Sequence, residues 1–180
     1  MQKEYDFALI AKFSQPITND SVYEIADSLF EAGCEDCTVM TRNQSLVIEF
    51  CREADNFQDA VISAINEINS VECLTVLSLD AGDVVSLSDA AELSGLSRST
   101  LSKYSKGDRG NNTFPLPIYK VQSKTPLYRW SEIAQWLNSQ GNLSFELTEK
   151  SIATSAINLA INLRNLSYMQ DVNKIQMGLN

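Results

Sequence analysis

The sequence predicts an α+β protein, and three observations lead to that prediction. Strand and helix patterns alternate over residues 1–80. Short helical and extended segments with many basic side chains follow over 83–140. A helical pattern with a repeating apolar stripe occupies 147–180. We therefore expect an acidic first domain, a second domain and a C-terminal helix, with these boundaries.

Four strands and two helices are expected in the first domain. The strands cover 5–13, the two arms of a hairpin around Arg42-Asn43-Gln44, and 71–79, while the helices cover 20–32 and about 54–69. Apolar residues on both sides of the first strand are typical of a central strand. The order strand, helix, strand, strand, helix, strand is that of a ferredoxin-like sandwich. Because this fold serves dimerisation, sensing and catalysis alike, it assigns no activity.

The inward faces of these two helices follow from a spacing of 3.6 residues per turn. The first is expected to bury Val22, Ile25, Ala26, Leu29 and Phe30 and to end at Gly33. The second is expected to bury Phe57, Ala60, Val61, Ala64, Ile65 and Ile68.

The chain has no histidine, which rules out His-based metal sites and His general bases, and its four cysteines all lie in the first 80 residues. Cys34 and Cys37 have the C-x-x-C spacing of zinc and redox sites, but no second pair follows, so buried thiols are the competing interpretation. Cys51 and Cys73 lie in apolar runs and are expected to act as small hydrophobes. With no phosphate loop and no nucleophile beside a base, we expect neither an enzyme nor a cofactor or metal.

Membrane insertion is not expected. No apolar run approaches the ~20 residues of a spanning helix. The first residues also lack the basic segment and long apolar run of a secretory signal. We therefore expect a cytoplasmic protein.

Charge is distributed unevenly along the chain, whose net charge is −9. Residues 1–82 hold 4 Lys and Arg against 15 Asp and Glu, whereas residues 94–129 hold 7 basic residues and one acid, Asp108. The basic residues are Arg98, Lys103, Lys106, Arg109, Lys120, Lys124 and Arg129. A basic window in an acidic protein is typical of a surface that contacts nucleic acid.

Two short helices are expected at the start of this window. Ser86 and Asp89 have the spacing of a capping box, and Gly95 can take the left-handed conformation of a turn. Ser97 can cap a second helix from Arg98 to about Lys106. Its inward residue is mainly Leu101, with Tyr104 at the edge.

Polar residues of the second helix are the candidate DNA contacts. Arg98, at the helix start, suits a guanine edge or a phosphate, and the hydroxyls of Ser99, Thr100 and Ser102 can donate to phosphates or bases. Lys103 and Lys106 suit the DNA backbone. A solvated polar helix is the alternative interpretation.

A basic hairpin is expected next. Ile118 to Val121 and Leu127 to Trp130 are extended segments separated by 122–126, and they carry Lys120, Lys124 and Arg129. A helix capped by Ser131 then follows, with Ile133, Trp136 and Leu137 facing inward. Both tryptophans are expected in the core rather than stacked on bases.

Three pieces of sequence in order, "VSLSDAAELSGLSRSTLSKY", "FPLPIY" and "PLYRWSEIAQWL", resemble the AlpA, excisionase and MerR-type winged helix-turn-helix group over residues 84–137. The resemblance implies that the helix 98–106 reads the major groove of double-stranded DNA and that 120–129 forms the wing. The segment "GDRGNNT" (107–113) is an insertion, and either DNA contacts by Arg109 or a mobile loop is compatible with it.

A final helix is expected to be capped by Thr148 and to start at Glu149. Ile152, Ala156, Leu159, Leu163 and Leu166 form a short heptad stripe. Packing within the chain and pairing with a second copy are equally compatible with it. Since winged regulators bind paired half-sites, a homodimer formed by this helix, by the first domain or by both is the working hypothesis.

Three functions fit these patterns. The leading one is a sequence-specific transcriptional regulator acting as a homodimer. The second is an excisionase-like factor that bends DNA in recombination. The third is an antitoxin-like protein whose acidic first domain binds a protein partner while the winged domain controls its own operon.

Overall fold

A four-stranded antiparallel sheet and a set of helices make this an α+β protein. The structure is a computed structural model that describes residues 2–80, 82–165 and 169–179. Its contacts divide the chain into a sheet unit, Met1–Asp80 with Ala156–Asn180, and a helical unit, Ala81–Ser155. No helix of the described ranges is long and apolar enough to cross a membrane.

The sheet unit follows the predicted order of elements. These are β1 (Lys3–Phe13), α1 (Asn19–Glu31), β2 (Cys37–Arg42), β3 (Ser45–Ala54), α2 (Phe57–Ser70) and β4 (Leu74–Leu79). The strand order is β2-β3-β1-β4, so β1 is a central strand as predicted. The hairpin β2–β3 turns at Asn43 and Gln44, both with positive φ.

The core of this unit lies between the sheet and its two helices. Phe7, Leu9 and Ala11 of β1 are buried beside alternate residues of β3. All six residues predicted for the inward face of α2 are buried.

The predicted face of α1 is wrong in part. Ile25 and Leu29 are buried, but Ala26 is exposed and Phe30 is 62% exposed. The buried stripe runs instead through Ser21, Ile25 and Leu29, each one turn apart. Because α1 packs toward β2, at one edge of the sheet, only a narrow stripe of it is covered.

The helical unit contains five elements and the start of a sixth. They are β5 (Val84–Val85), α3 (Leu87–Ser94), α4 (Arg98–Ser105), β6 (Tyr128–Arg129), α5 (Trp130–Ser139) and α6 (Phe145–Asn165). The predicted caps are confirmed: Ser86 and Asp89 form a capping box, Gly95 is left-handed with φ 69°, and Ser97 caps α4. Tyr104 was expected at the edge but is 6% exposed, so it belongs to the core.

Two predictions between α4 and α5 are corrected. The expected hairpin is reduced to a single bridge between Tyr119 and Leu127, and β6 pairs with β5 instead. Ser131 does not cap α5: Arg129 occupies the N-cap position, the helix starts at Trp130, two residues earlier than predicted, and Ser131 is buried inside it. Trp130 and Trp136 are both in the core, as predicted.

The C-terminal region also differs from its prediction. The helix α6 starts at Phe145, where Ser144 Oγ accepts a hydrogen bond from Leu147 N–H, and Thr148 is buried within the helix. Along the predicted stripe Ile152 is 39% and Leu159 60% exposed, whereas Leu166 lies outside the described residues. The side chains that α6 buries in the sheet unit are Ile157, Asn158 and Ile161. A further helix, α7, covers Met169–Gly178.

Candidate nucleic-acid interface

The exposed face of α4 is polar and cationic. Leu101 and Tyr104 are its buried residues, and with ~100° between successive residues they define the inward side. The opposite side carries Ser99, Ser102, Lys103 and Lys106, and Arg98, at the first position of the helix, lies at the edge of that side. Of these, all but the half-buried Ser102 are exposed. The structure therefore brings four predicted contact residues together on one helix face, with Arg98 at its edge.

Thr100 is placed differently from the other predicted residues of α4. It is half-buried, its N–H donates to Ser97 Oγ at 3.1 Å, and its hydroxyl lies 2.9 Å from the same oxygen. Thr100 thus stabilises the start of α4. The helix start itself is exposed at Ser97 and Arg98, where the positive end of the helix dipole favours a phosphate.

The inserted loop 107–113 is held against the end of α4. Asp108 N–H donates to Lys103 O at 2.9 Å, and Gly107 N–H donates to Tyr104 O at 3.1 Å. At the other end of the loop, Trp136 Nε1 donates to Thr113 Oγ1 at 3.0 Å. The loop is therefore tied to the core at both ends.

Arg109 is positioned by this loop. Its guanidinium carbon lies 5.3 Å from the centre of the Tyr104 ring, a cation–π contact that leaves the side chain exposed. Since Tyr104 belongs to α4, the cation of Arg109 stands beside that helix. The sequence alone left the role of this loop open, because Trp136, which holds the loop through Thr113, lies 23 residues farther along the chain.

An aromatic cluster joins α4 to the segments that follow. Phe114 contacts the rings of Tyr104, Tyr128 and Trp136, with centroid distances of 6.3, 6.0 and 5.1 Å. Burial raises the pKa of Tyr128, and its hydrogen bond with Ser105 opposes that rise. The bond also links the last residue of α4 to β6. These contacts fix β6 next to the cationic helix.

The remaining predicted cations follow from β6 and the loop before it. Arg129 is exposed and lies 3.7 Å from Glu132, an exposed ion pair that contributes little to stability. Lys120 and Lys124 stand in the exposed tip of the loop 120–126, and Lys120 has a positive φ of 51°. The bridge between Tyr119 and Leu127 joins the two ends of this loop.

Exposed apolar side chains near these lysines were missed from the sequence. Tyr119 is 57% and Val121 61% exposed, and Leu116 is 80% exposed. The signal that could have found them is the alternation of apolar residues with lysine in a segment too short to form a core. A mixed cationic and apolar loop suits a nucleic-acid groove, where phosphates and base edges lie side by side.

The second candidate site is a polar cluster in the sheet unit. Arg52 is 7% exposed and donates to both oxygens of Asp36 at 2.7 Å, to Glu67 at 2.6 Å and to Ser63 at 2.9 Å. The pair with Arg52 lowers the pKa of Asp36 below its usual value. Every nitrogen of this guanidinium donates to a side chain of the chain itself, so the cluster is a structural ion pair.

Cys34 and Cys37 lie beside this cluster. A hydrogen bond with Cys37, burial and the nearby Glu67 raise the pKa of Cys34, whereas the hydrogen bond from Cys34 lowers the pKa of Cys37. All four cysteines are free thiols. Among the described residues no group of three or more side chains is placed to hold a metal ion. Cys51 was expected to be a buried hydrophobe, but it is exposed.

Comparison with known proteins adds no relative. The chain matches no protein-family model, no curated protein and no solved structure. What the two sites can do therefore follows from their own geometry.

Proposed function

We propose that the chain is a sequence-specific DNA-binding protein, a transcriptional regulator that acts as a homodimer and carries out no catalysis. The helical unit would be a winged helix-turn-helix, with α4 in the major groove and 120–129 as the wing. The sheet unit would be a ferredoxin-like sandwich. The observation that carries the proposal is the α4 face opposite Leu101 and Tyr104, which presents only cations and hydroxyls.

The size and chemistry of that face support the proposal. A major groove about 12 Å wide admits one α-helix whose outward side chains are free to reach base edges. Arg98 is at the first position of α4 after the Ser97 cap, where recognition helices make base contacts. Lys103, Lys106 and Arg109 lie at or beyond the other end, where they can neutralise phosphates.

Two substitutions separate base reading from phosphate contact. Fluorescence anisotropy of the full chain would be measured on a DNA site selected from a random pool and on a scrambled duplex. We expect Arg98→Ala to lose about tenfold or more on the selected site only, because a bidentate arginine contributes about 1–3 kcal/mol of discrimination. Lys124→Ala should weaken both duplexes by the same factor, since a phosphate is identical in every sequence.

Lys174→Ala, in α7, is the matched control, because it removes the same charge from the other unit. It should leave both affinities unchanged. If Arg98→Ala weakened both duplexes equally, its role in base reading would be wrong. If the full chain selected no sequence from the pool, the proposed function itself would be wrong.

The exposed apolar residues of the loop favour one alternative. Tyr119 and Val121 are the kind of side chains that wedge between base pairs and bend DNA, as an excisionase-like architectural factor requires. Bending is measured by energy transfer between dyes at the two ends of a bound duplex. A bend that is lost in Val121→Ser would favour the architectural role over the regulatory one.

A further inference from the structure

The sheet has one face that neither α1 nor α2 covers. Phe7, Leu9 and Ala11 point toward the helices, so the alternate residues of each strand point the other way. We call this second side the open face. The open face carries five rows across the paired strands. They are Glu4 with Glu53, Asp6 with Cys51, Ala8 with Glu49 and Thr38, Ile10 with Val47, Met40 and Ser78, and a last row that contains Lys12 paired with Thr75 and Arg42 paired with Ser45.

Charge is separated along the open face. Three carboxylates, those of Glu4, Asp6 and Glu53, lie in the two rows at one end, and a fourth, that of Glu49, lies in the next row beside Ala8. Two cations, Lys12 and Arg42, lie in the last row at the other end. Both cations and all four acids are exposed. The acidic end of the face also affects Cys51. Hydrogen bonds to Glu4 and Asp6 raise the pKa of its thiol to about 12.

Apolar residues fill the space between the two charged ends. Ile10 and Val47 are paired and half-buried, and Met40, opposite Val47, is 44% exposed. This band sits where two packed sheets would form their common core. A partner that fits the open face must therefore be flat, with an apolar middle. It must place cations against the acidic end of the face and carboxylates against the cationic end.

We propose that the open face is the surface on which a second copy of this chain docks, with the two sheets packed face to face about a two-fold axis. A two-fold axis between the rows of Ala8 and Ile10 turns the strands of one copy antiparallel to those of the other. Lys12 and Arg42 of each copy then meet the acidic end of its partner. A self-complementary patch of this kind is what a symmetric dimer requires.

The size of the face sets the strength of the dimer. Four strands of 6 to 11 residues offer roughly 500 Å² per copy at ~4.8 Å between strands and ~3.3 Å per residue. This is at the lower end of specific interfaces. We therefore expect a reversible dimer that forms at micromolar concentration and weakens as salt screens its charges.

Only the purpose of the dimer rests on the proposed function: the dimer would place two DNA-binding units on paired half-sites. Its test contains no DNA. Sedimentation velocity of the full chain would be measured over a range of concentrations for the wild type, for Lys12→Glu with Arg42→Glu, and for Asp6→Lys with Glu53→Lys, since Asp6 lies in the row that the axis brings to the cations and Glu53 in the row beside it. We expect each double variant to dimerise at least tenfold more weakly than the wild type.

Mixing the two double variants is the decisive step. The Lys12→Glu, Arg42→Glu variant has an open face that is acidic at both ends. The variant with two acids replaced by lysine has cations at both ends. A heterodimer of the two therefore restores the attraction that each variant lost. We expect the equimolar mixture to recover dimers at concentrations where each variant alone is monomeric. Recovery would also show that both variants are folded.

Asp27→Lys with Glu31→Lys, on α1, is the matched control for the acidic reversal. It changes the net charge by the same amount on the helix side of the sheet, and it should dimerise like the wild type. A wild type that stays monomeric at every concentration would overturn the inference. So would a dimer that all three double variants leave intact, a result that would indicate another interface such as Ile152 and Leu159 of α6. Neither result bears on DNA binding, which the anisotropy measurements test separately.

Discussion

Asp36 shows how one ion pair supports the sheet unit. Its carboxylate accepts two hydrogen bonds from Arg52, both 2.7 Å long, and joins the loop before β2 to β3. Because the pair lowers the pKa of Asp36 in the folded state, the unfolded state binds the proton more tightly. Stability therefore rises with pH through the range between the two pKa values.

Asp36→Asn tests this contribution. Neutral pH is well above the unfolded-state pKa of ~3.9, so the carboxylate of the wild type is charged. We expect the free energy of unfolding of the variant to be about 2 kcal/mol lower than that of the wild type there, because charged hydrogen bonds are lost. As pH falls through the lowered pKa of Asp36, its carboxyl gains a proton and the difference should disappear. Urea unfolding followed by circular dichroism at several pH values measures both. Asp27→Asn, exposed on α1, is expected to change stability by less than ~0.5 kcal/mol at neutral pH.

At the scale of elements, the turn between α3 and α4 depends on Gly95. It has φ 69°, and a Cβ added there would meet no heavy atom within 4 Å. Any cost of Gly95→Ala therefore comes from backbone strain, about 1 kcal/mol for a non-glycine residue in this conformation. Asparagine tolerates the conformation better, so Gly95→Asn should cost less.

Gly141 provides a matched control in the same unit. It has φ 70° and equally open surroundings, but it lies after α5 rather than between α3 and α4. We expect Gly141→Ala to lower the free energy of unfolding by a similar amount. Urea unfolding followed by tryptophan emission reports this unit, because Trp130 and Trp136 both belong to it. If Gly95→Ala left the protein as stable as the wild type, the role given to this turn would be contradicted.

How well each element could be predicted depends on the range of its determining contacts. Ser86, Gly95 and Ser97 were assigned correctly, since a cap is decided within a few residues. The burial of Phe30 was wrong because it depends on where α1 lies across the sheet. The partner of β6 was wrong as well, since Leu127 to Trp130 could pair with either of two extended segments and the sequence does not rank them.

The candidate interface divides in the same way. Helical spacing alone predicted that Arg98, Lys103 and Lys106 face outward from α4. The place of Arg109 needed contacts with Tyr104, and the anchoring of its loop needed Trp136, which is distant in sequence. Thr100 was assigned to DNA because a hydroxyl near a helix start can either bind a phosphate or complete the cap.

At the scale of the whole molecule, the two units differ in charge. The sheet unit holds 6 Lys and Arg against 16 Asp and Glu, and the helical unit holds 8 against 7. Under the proposed function, the acidic unit would be repelled by DNA at long range, which would orient a duplex toward the cationic surface around α4. If the acidic units pair as proposed, each dimer carries two such cationic surfaces.

Pairing through the open face should therefore be visible in the choice of DNA site. If two linked copies bind two half-sites, the second binding event is intramolecular, and the wild type should bind a paired site about a hundredfold or more tighter than a single half-site. Lys12→Glu with Arg42→Glu should lose this advantage on the paired site, yet bind the single half-site like the wild type once salt screens the added negative charge. Anisotropy titrations on both duplexes measure the ratio, with Asp27→Lys plus Glu31→Lys as the control that keeps it. A double variant that retained the full advantage would show that the copies meet on DNA through some other surface.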